Sequence, residues 1–354
     1  MEQNPTKIKE VEKLNLFPGA LDDDRSQEEK DKDYKAEEVV SFGPVDWKQK
    51  NFEDIHTFPV RNQDGSSSCV MATSALMLGI INYLEEGKYI EFSFKDGYDR
   101  RSNKPQGGMI GVDALNILRD YGLTLNDLIP SDNQSESEIS SDINRKESDI
   151  QVAKTFRIKN FVQLPFDIEK IAWTIENGRK NGVGKPIMTW YRFPRNEWNA
   201  QPVVSNSNTD IVHHSVTAID YGIMNGKKGL FTQDSWGLHS STVNGLRFIS
   251  EDYLKARMTF CADVEDLFNN WRDTQEPEPN KPPMLITKTL RYGMNDPQVV
   301  NLQDLLKYFG FYSLTSASTG FFGPVTRKAV QDFQRSKGVT VDGIVGPITR
   351  SLLV

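Results

Sequence analysis

The sequence predicts an α+β domain over residues 43–265, followed by a small all-α domain over residues 285–354. Three observations predict this. The apolar run Val70 to Leu84, interrupted by Thr73, Ser74 and Asn82, reads as a buried helix rather than a membrane span. Later segments such as Met258-Thr-Phe-Cys-Ala-Asp-Val264 alternate and read as strands, so the domain is helical first and strand-rich later. Between the two units lies Asp273-Thr-Gln-Glu-Pro-Glu-Pro-Asn-Lys-Pro-Pro283, within an acidic linker assigned to residues 266–284. Its prolines favour an extended, semi-rigid spacer.

The chain opens with residues 1–42, which carry 12 Asp/Glu against 7 Lys/Arg, a net of -5. This segment reads as a solvated or surface-draped acidic extension, with a short propeptide as the alternative. It lacks the apolar core and small-residue cleavage site of a signal peptide. Ser131 to Asp149 is polar without an apolar period and reads as an exposed insertion. Across all 354 residues, 37% are hydrophobic and 26% charged, as in a globular protein with material for two cores. No run has the length of a membrane span.

Chemistry concentrates in three segments. Pro59-Val-Arg-Asn-Gln-Asp-Gly-Ser-Ser-Ser-Cys69 sets Gln63 six residues before Cys69, and Cys69 opens the apolar run. Downstream stand His213-His214-Ser-Val-Thr-Ala-Ile-Asp-Tyr-Gly222 and Gln233-Asp234-Ser-Trp-Gly237. Together they offer a thiol nucleophile, an oxyanion donor, a general base and a group to orient that base. At the start of a helix the Cys69 thiol would meet the positive end of the helix dipole, which favours thiolate. A Gln donates to an oxyanion without adding a titrating charge, and one such donor contributes about 3–4 kcal/mol to the transition state. Successive strand residues point to opposite faces, so only one of His213 and His214 can face the thiol. No His, Cys or carboxylate cluster has metal-ligand spacing and no phosphate loop is present, so neither a metal nor a cofactor is expected.

These segments resemble the papain family of cysteine peptidases, colinearly over residues 43 to about 265. Pro44-Val-Asp-Trp47 is similar to the start of the mature domain, Asp149 to Leu164 to the entry into its second half, and Ser235-Trp-Gly237 to its active-site tryptophan loop. The resemblance implies a two-lobed fold with Cys69 as nucleophile, His214 as base, Asp234 orienting the base, and Gln63 in the oxyanion hole. His213 is the fallback base. Trp236 would cover the His–Asp hydrogen bond. Gly107 and Gly108 would let a peptide substrate approach in strand fashion, with Met109 and Ile110 suggesting an apolar specificity pocket. His239 follows the tryptophan loop and reads as a solvated loop residue.

Several positions depart from the family. Asp234 stands where an Asn is usual, and a carboxylate there would favour the protonated ring and a stable thiolate–imidazolium pair. Val70 replaces a Trp, and Ser66 replaces the cysteine of a disulfide common in secreted members. With only Cys69 and Cys261 in the chain, folding in a reducing cytoplasm is expected, and Cys261 reads as a buried strand residue.

In the C-terminal unit, Val299, Leu302, Leu305 and Leu306 keep one helical face, as do Val325, Ala329, Val330 and Phe333. Gly-Pro-x-Thr-Arg occurs at 323–327 and again at 346–350, each placing Pro in the first turn of a short helix. The unit resembles the small helical peptidoglycan-binding domain of bacterial and phage wall-active proteins. Its 8 Lys/Arg against 4 Asp/Glu give +4 on a chain of net -7, which suits an anionic polymer. There is no basic helix or zinc spacing to support nucleic acid as the partner.

The expectation is a cysteine endopeptidase acting on a peptide or protein substrate and held at bacterial peptidoglycan through residues 285–354, after release from the cell or as part of a phage particle. Cleavage of peptidoglycan stem peptides, as in a lysin, is the alternative. So is a catalytically silent wall-binding or virion protein.

Overall fold

The computed structural model describes residues 19–353 except 31–32, 34, 37–39, 265–266, 268–285, 313–316 and 338. The expectations for residues 1–18 and for the proline-rich stretch 273–283 fall outside the described residues.

The helical lobe is built on α1 (Cys69–Glu86), in which fifteen residues are buried. Burial on every side explains why the run lacks an amphipathic stripe. Gly87 ends the helix in the left-handed conformation, φ 70°, donating its N–H to Tyr83 O. Helices α2 (Phe94–Asp99) and α3 (Gly111–Asp120) pack against α1 around Met71, Met77, Leu78, Tyr98, Leu115 and Leu118.

The segment read as an exposed insertion is instead built into this lobe. It holds α4 (Glu136–Ile139) and the start of α5 (Glu147–Thr155), and it buries Ser131 and Ile139 fully. Its polar residues pair inward: Arg61 bonds Asp132 through Nε and Nη2, and Arg145 reaches both Asp96 and Asp99. An apolar period cannot reveal a segment held by ion pairs.

The second lobe is an antiparallel sheet in the order β1-β6-β2-β3-β4-β5. Its strands are β1 (Phe161–Gln163), β2 (Ile187–Pro194), β3 (Ile211–Met224), β4 (Lys227–Gln233), β5 (Leu246–Ser250) and β6 (Met258–Val264). Two helices pack on it, α6 (Ile168–Asn177) and α7 (Glu251–Arg257). Cys261 is buried on β6 and, like Cys69, is a free thiol. Helix α1 lies against β3, which brings Cys69 to the junction of the lobes.

Three helices form the C-terminal unit: α8 (Pro297–Tyr308), α9 (Pro324–Ser336) and α10 (Pro347–Leu353). Each opens on proline, whose fixed φ and missing N–H suit a first turn. The repeated motif is a repeated structure. Gln303 accepts from Gly320 N at 3.1 Å and donates to Thr326 Oγ1 at 2.9 Å; Gln334 accepts from Gly343 N at 2.9 Å and donates to Thr349 Oγ1 at 3.0 Å. Two buried amides thus staple the two turns.

Candidate active site

Cys69 is the first residue of α1, and the loop before it is pinned to the tryptophan loop of the other lobe. Gln63 N donates to Ser235 O at 2.8 Å, and Gly237 N to Arg61 O at 3.0 Å. The Gln63 side chain donates to Ser66 O at 2.7 Å and accepts from Ser235 Oγ at 2.8 Å, so its amide is held at the base of the nucleophile loop. Glu136 anchors the same loop from α4: its carboxylate takes Ser67 N at 2.5 Å and the Tyr98 hydroxyl at 2.9 Å. That hydroxyl in turn receives Gly108 N at 2.8 Å.

His214 lies on β3 and is fully buried; its neighbour His213 points away and is half-buried. The period-2 geometry of the strand therefore separates the two candidate bases. His214 Nε2 is 2.8 Å from Asp234 Oδ1, and Nδ1 has no hydrogen-bond partner among the described residues. Trp236 stacks on the imidazole, with ring centroids 3.8 Å apart and planes inclined by 23°. Asp234, just past β4, also accepts from Ser235 N at 2.7 Å, Trp198 Nε1 at 3.2 Å and Arg247 Nε at 2.7 Å. Arg247 comes from β5 and is itself fully buried.

The cleft is filled by the chain's own N-terminal segment. Ala20 pairs with Met109 in parallel register: Met109 N donates to Gly19 O at 2.9 Å, and Leu21 N to Met109 O at 3.0 Å. A Cβ on Gly19 would lie 2.0 Å from Ser67 O, so only glycine fits there. A Cβ on Gly108 would lie 2.8 Å from Gly19 O, and its φ of 81° also requires glycine. The segment continues outward: Asp22 lies 3.3 Å from His213 Nδ1, and Arg25 forks onto Asp23 and Asp33. The described part of the acidic extension thus starts buried at Gly19 and Ala20 and runs on as a largely exposed, surface-draped stretch from Leu21 to Glu29. Its backbone satisfies the edge that Gly107–Met109 presents.

Burial governs the titrations. It pushes the Cys69 thiol up to about 12, with Asp234 adding to the rise, although the N–H groups of Ser215, Gly19 and Val70 oppose it. His214 is shifted down, first by burial; Asp234 resists this and Arg247 adds to it. Burial alone would raise Asp234, but His214 and Arg247 prevail and hold its carboxyl well below the usual range. Burial thus works against both charged partners of the thiolate–imidazolium pair expected from Asp234. For His214 burial is the largest cause, and Arg247 adds the smallest push in the same direction.

The structure brings Gln63, His214, Asp234 and Trp236 together and sets Cys69 on the helix packed against the His214 strand, with no hydrogen bond between its thiol and His214 Nδ1. Gly107, Gly108 and Met109 line its edge. Met109 uses its backbone there while its side chain is buried in the helical core. Ile110 caps α3 and stays partly exposed. Val70 is buried, and Ser66 bonds within the loop. His239 is not a freely solvated residue: its Nε2 sits 3.4 Å from Arg247 Nη2 and its Nδ1 2.8 Å from Ser241 Oγ. Arg247, Trp198, Glu136 and Gly19 were not foreseen. For Arg247 a signal existed, since Leu246-Arg-Phe-Ile249 sets a charge inside an apolar strand.

Among the described residues no group of three or more His, Cys, Asp or Glu is arranged to hold a metal ion, and no helix is long and apolar enough to cross a membrane.

Comparison with known proteins agrees in two parts. Xylellain, a cysteine protease from Xylella fastidiosa, has a TM-score of 0.54 at 15% identity, covering 74% of this chain and 99% of xylellain. The fold is that of the papain-like cysteine proteases. Residues 295–353 match the peptidoglycan binding domain family. The spore cortex-lytic enzyme of Bacillus cereus is 39% identical over 67 residues, 19% of this chain and 25% of that protein. The corresponding enzyme of Halalkalibacterium halodurans is 38% identical over 66 residues, 19% of each chain. The chain spans no more than a quarter of the length of these curated relatives. The protein thus joins a papain-like fold to a C-terminal peptidoglycan-binding domain.

Proposed function

We propose that the protein is a cysteine peptidase that works at bacterial peptidoglycan through Cys69, His214 and Asp234. The observation that carries this reading is His214, held between the Asp234 carboxylate at 2.8 Å and a stacked Trp236, on the strand that packs against the helix opened by Cys69. Cys69 attacks the carbonyl carbon of the scissile bond, and His214 takes the thiol proton and returns it to the leaving amine. The Gln63 amide and the Cys69 N–H stabilise the oxyanion. Water, deprotonated by His214, then releases the acyl group and restores the thiol. Gly107–Met109 supplies the edge that a peptide joins, the edge now taken by Gly19–Leu21. In this reading the described form is latent, and the segment must leave before turnover. Residues 285–354 supply the hold on the wall.

The partial similarity to spore cortex-lytic enzymes favours a second reading in which the wall itself is the substrate, its stem peptides cleaved by the same residues. Turnover of fluorogenic peptides and of purified peptidoglycan, by wild type and Cys69→Ala, separates these readings. Peptide cleavage lost in the variant supports a protein-cleaving enzyme anchored at the wall. Release of stem peptides makes it a wall hydrolase. Activity on neither, even from Gly19→Val, whose side chain cannot pass Ser67 O and so frees the cleft, with wall binding retained, overturns the enzymatic reading.

A further inference from the structure

Asp234 is a full carboxylate in a site where water does not reach, next to a base that must shuttle a proton. Left alone, it would hold a proton on His214 and work against the base giving one up. The carboxylate is not alone. Arg247 Nε bonds Oδ2 at 2.7 Å while His214 Nε2 meets Oδ1 at 2.8 Å, and all three side chains are completely buried. The guanidinium is fixed on its other sides by Ser241 O at 2.7 Å and by the Trp198 ring, 4.8 Å from its centroid. The charged or titratable groups around His214 are Asp234, Arg247, His239 on the loop after Trp236, and the Cys69 thiol on α1. Tyr191 faces it across β2.

We propose that Arg247 is a positioning residue that cancels the charge of Asp234, so that the pair acts on His214 as one acceptor of zero net charge. This rests on the peptidase reading only for its purpose; the electrostatic claim stands on the buried triplet. A neutral amide would orient the imidazole in the same way. The pair reaches that condition with two residues, and each becomes harmful without the other, because a lone buried charge is strongly unfavourable.

The full chain has only four histidines, His56, His213, His214 and His239, so imidazole titrations can be followed one by one by ¹⁵N NMR. Loss of one resonance in His214→Ala assigns the site. In Arg247→Met the His214 proton affinity should rise at least tenfold. In Asp234→Asn, which leaves the cation uncompensated, it should fall by a similar factor. The double variant Asp234→Asn/Arg247→Met should return to within about threefold of wild type. Arg247→Lys keeps the charge and guards against misfolding; its His214 titration should stay within threefold of wild type. An unshifted titration in Arg247→Met, or a double variant no closer to wild type than the single ones, overturns the proposal. Peptide turnover is measured in the same samples. Titrations that move as stated without any turnover, even once Gly19→Val frees the cleft, would sink the peptidase reading and leave the charge pairing intact.

Discussion

The two lobes hold their halves of the site by opposite means. Cys69 is carried on a helix whose fifteen buried residues are mostly apolar, and its position follows from packing. His214 is carried in the sheet lobe inside a buried polar set of Asp234, Arg247, Ser235 and Trp198. Apolar packing is non-directional and tolerates volume-conserving change. A buried polar set is directional, and removing one member leaves its partner without compensation. Apart from the reacting groups themselves, damage to the helical lobe should therefore appear as lost stability, and damage to the sheet lobe as lost chemistry.

The sharpest break removes a reacting group. His214→Ala or Cys69→Ala should lower peptide turnover by about 10⁴-fold or more with little change in melting temperature. An equal loss from a conservative change in the helical core would erase the contrast. Leu78→Ala, in the middle of α1, should destabilise by about 2–5 kcal/mol, read as a lower melting temperature, while turnover per folded molecule is retained.

A third test acts between the lobes. Gly19→Val cannot keep its place against Ser67, so the segment should leave the cleft and Cys69 alkylation should rise by roughly 10–100-fold, the worth of its backbone bonds. The pH dependence has a definite sign. In the closed form a thiol at about 12 stays protonated through neutral pH. Closure is thus fully favoured below the thiol pKa of the open form and weakens as the pH rises toward about 12. Alkylation of wild type should climb with pH well past the usual thiol range near 8.5, whereas that of Gly19→Val should level off earlier. Identical profiles for the two proteins would refute the closed state.

The smallest effect is expected at Trp236→Phe. It keeps an aromatic cover over His214 and should lower turnover by less than about tenfold, with stability nearly unchanged.

How much of this was legible follows the same division. The long apolar run announced α1, and the resemblance carried by the segments around Gln63, Cys69, His214 and Asp234 pointed to the candidate site. In the C-terminal unit the repeated Gly-Pro-x-Thr-Arg announced its helices. The sequence was mute where a contact joins distant polar residues: Arg61 to Asp132, Glu136 to Ser67, Arg247 to Asp234. None of these has a period. The reading of residues 131–149 as an exposed insertion holds for most of the side chains but missed two short helices and the buried Ser131, Ile139 and Asp149 for that reason. Gly19 was invisible because a glycine in an acidic stretch gives no hint of the carbonyl it must pass.

The pairing of Gly19–Leu21 with Met109 has one more consequence. A peptide that fills the cleft from the same covalent chain competes at an effective concentration on the order of millimolar, set by its tether. Diluting the protein does not loosen it, and a soluble substrate must outnumber it to displace it. Cutting the tether changes the problem at once: the segment becomes an ordinary ligand, its return now depends on how much protein surrounds it, and the opening becomes permanent wherever the products can drift apart.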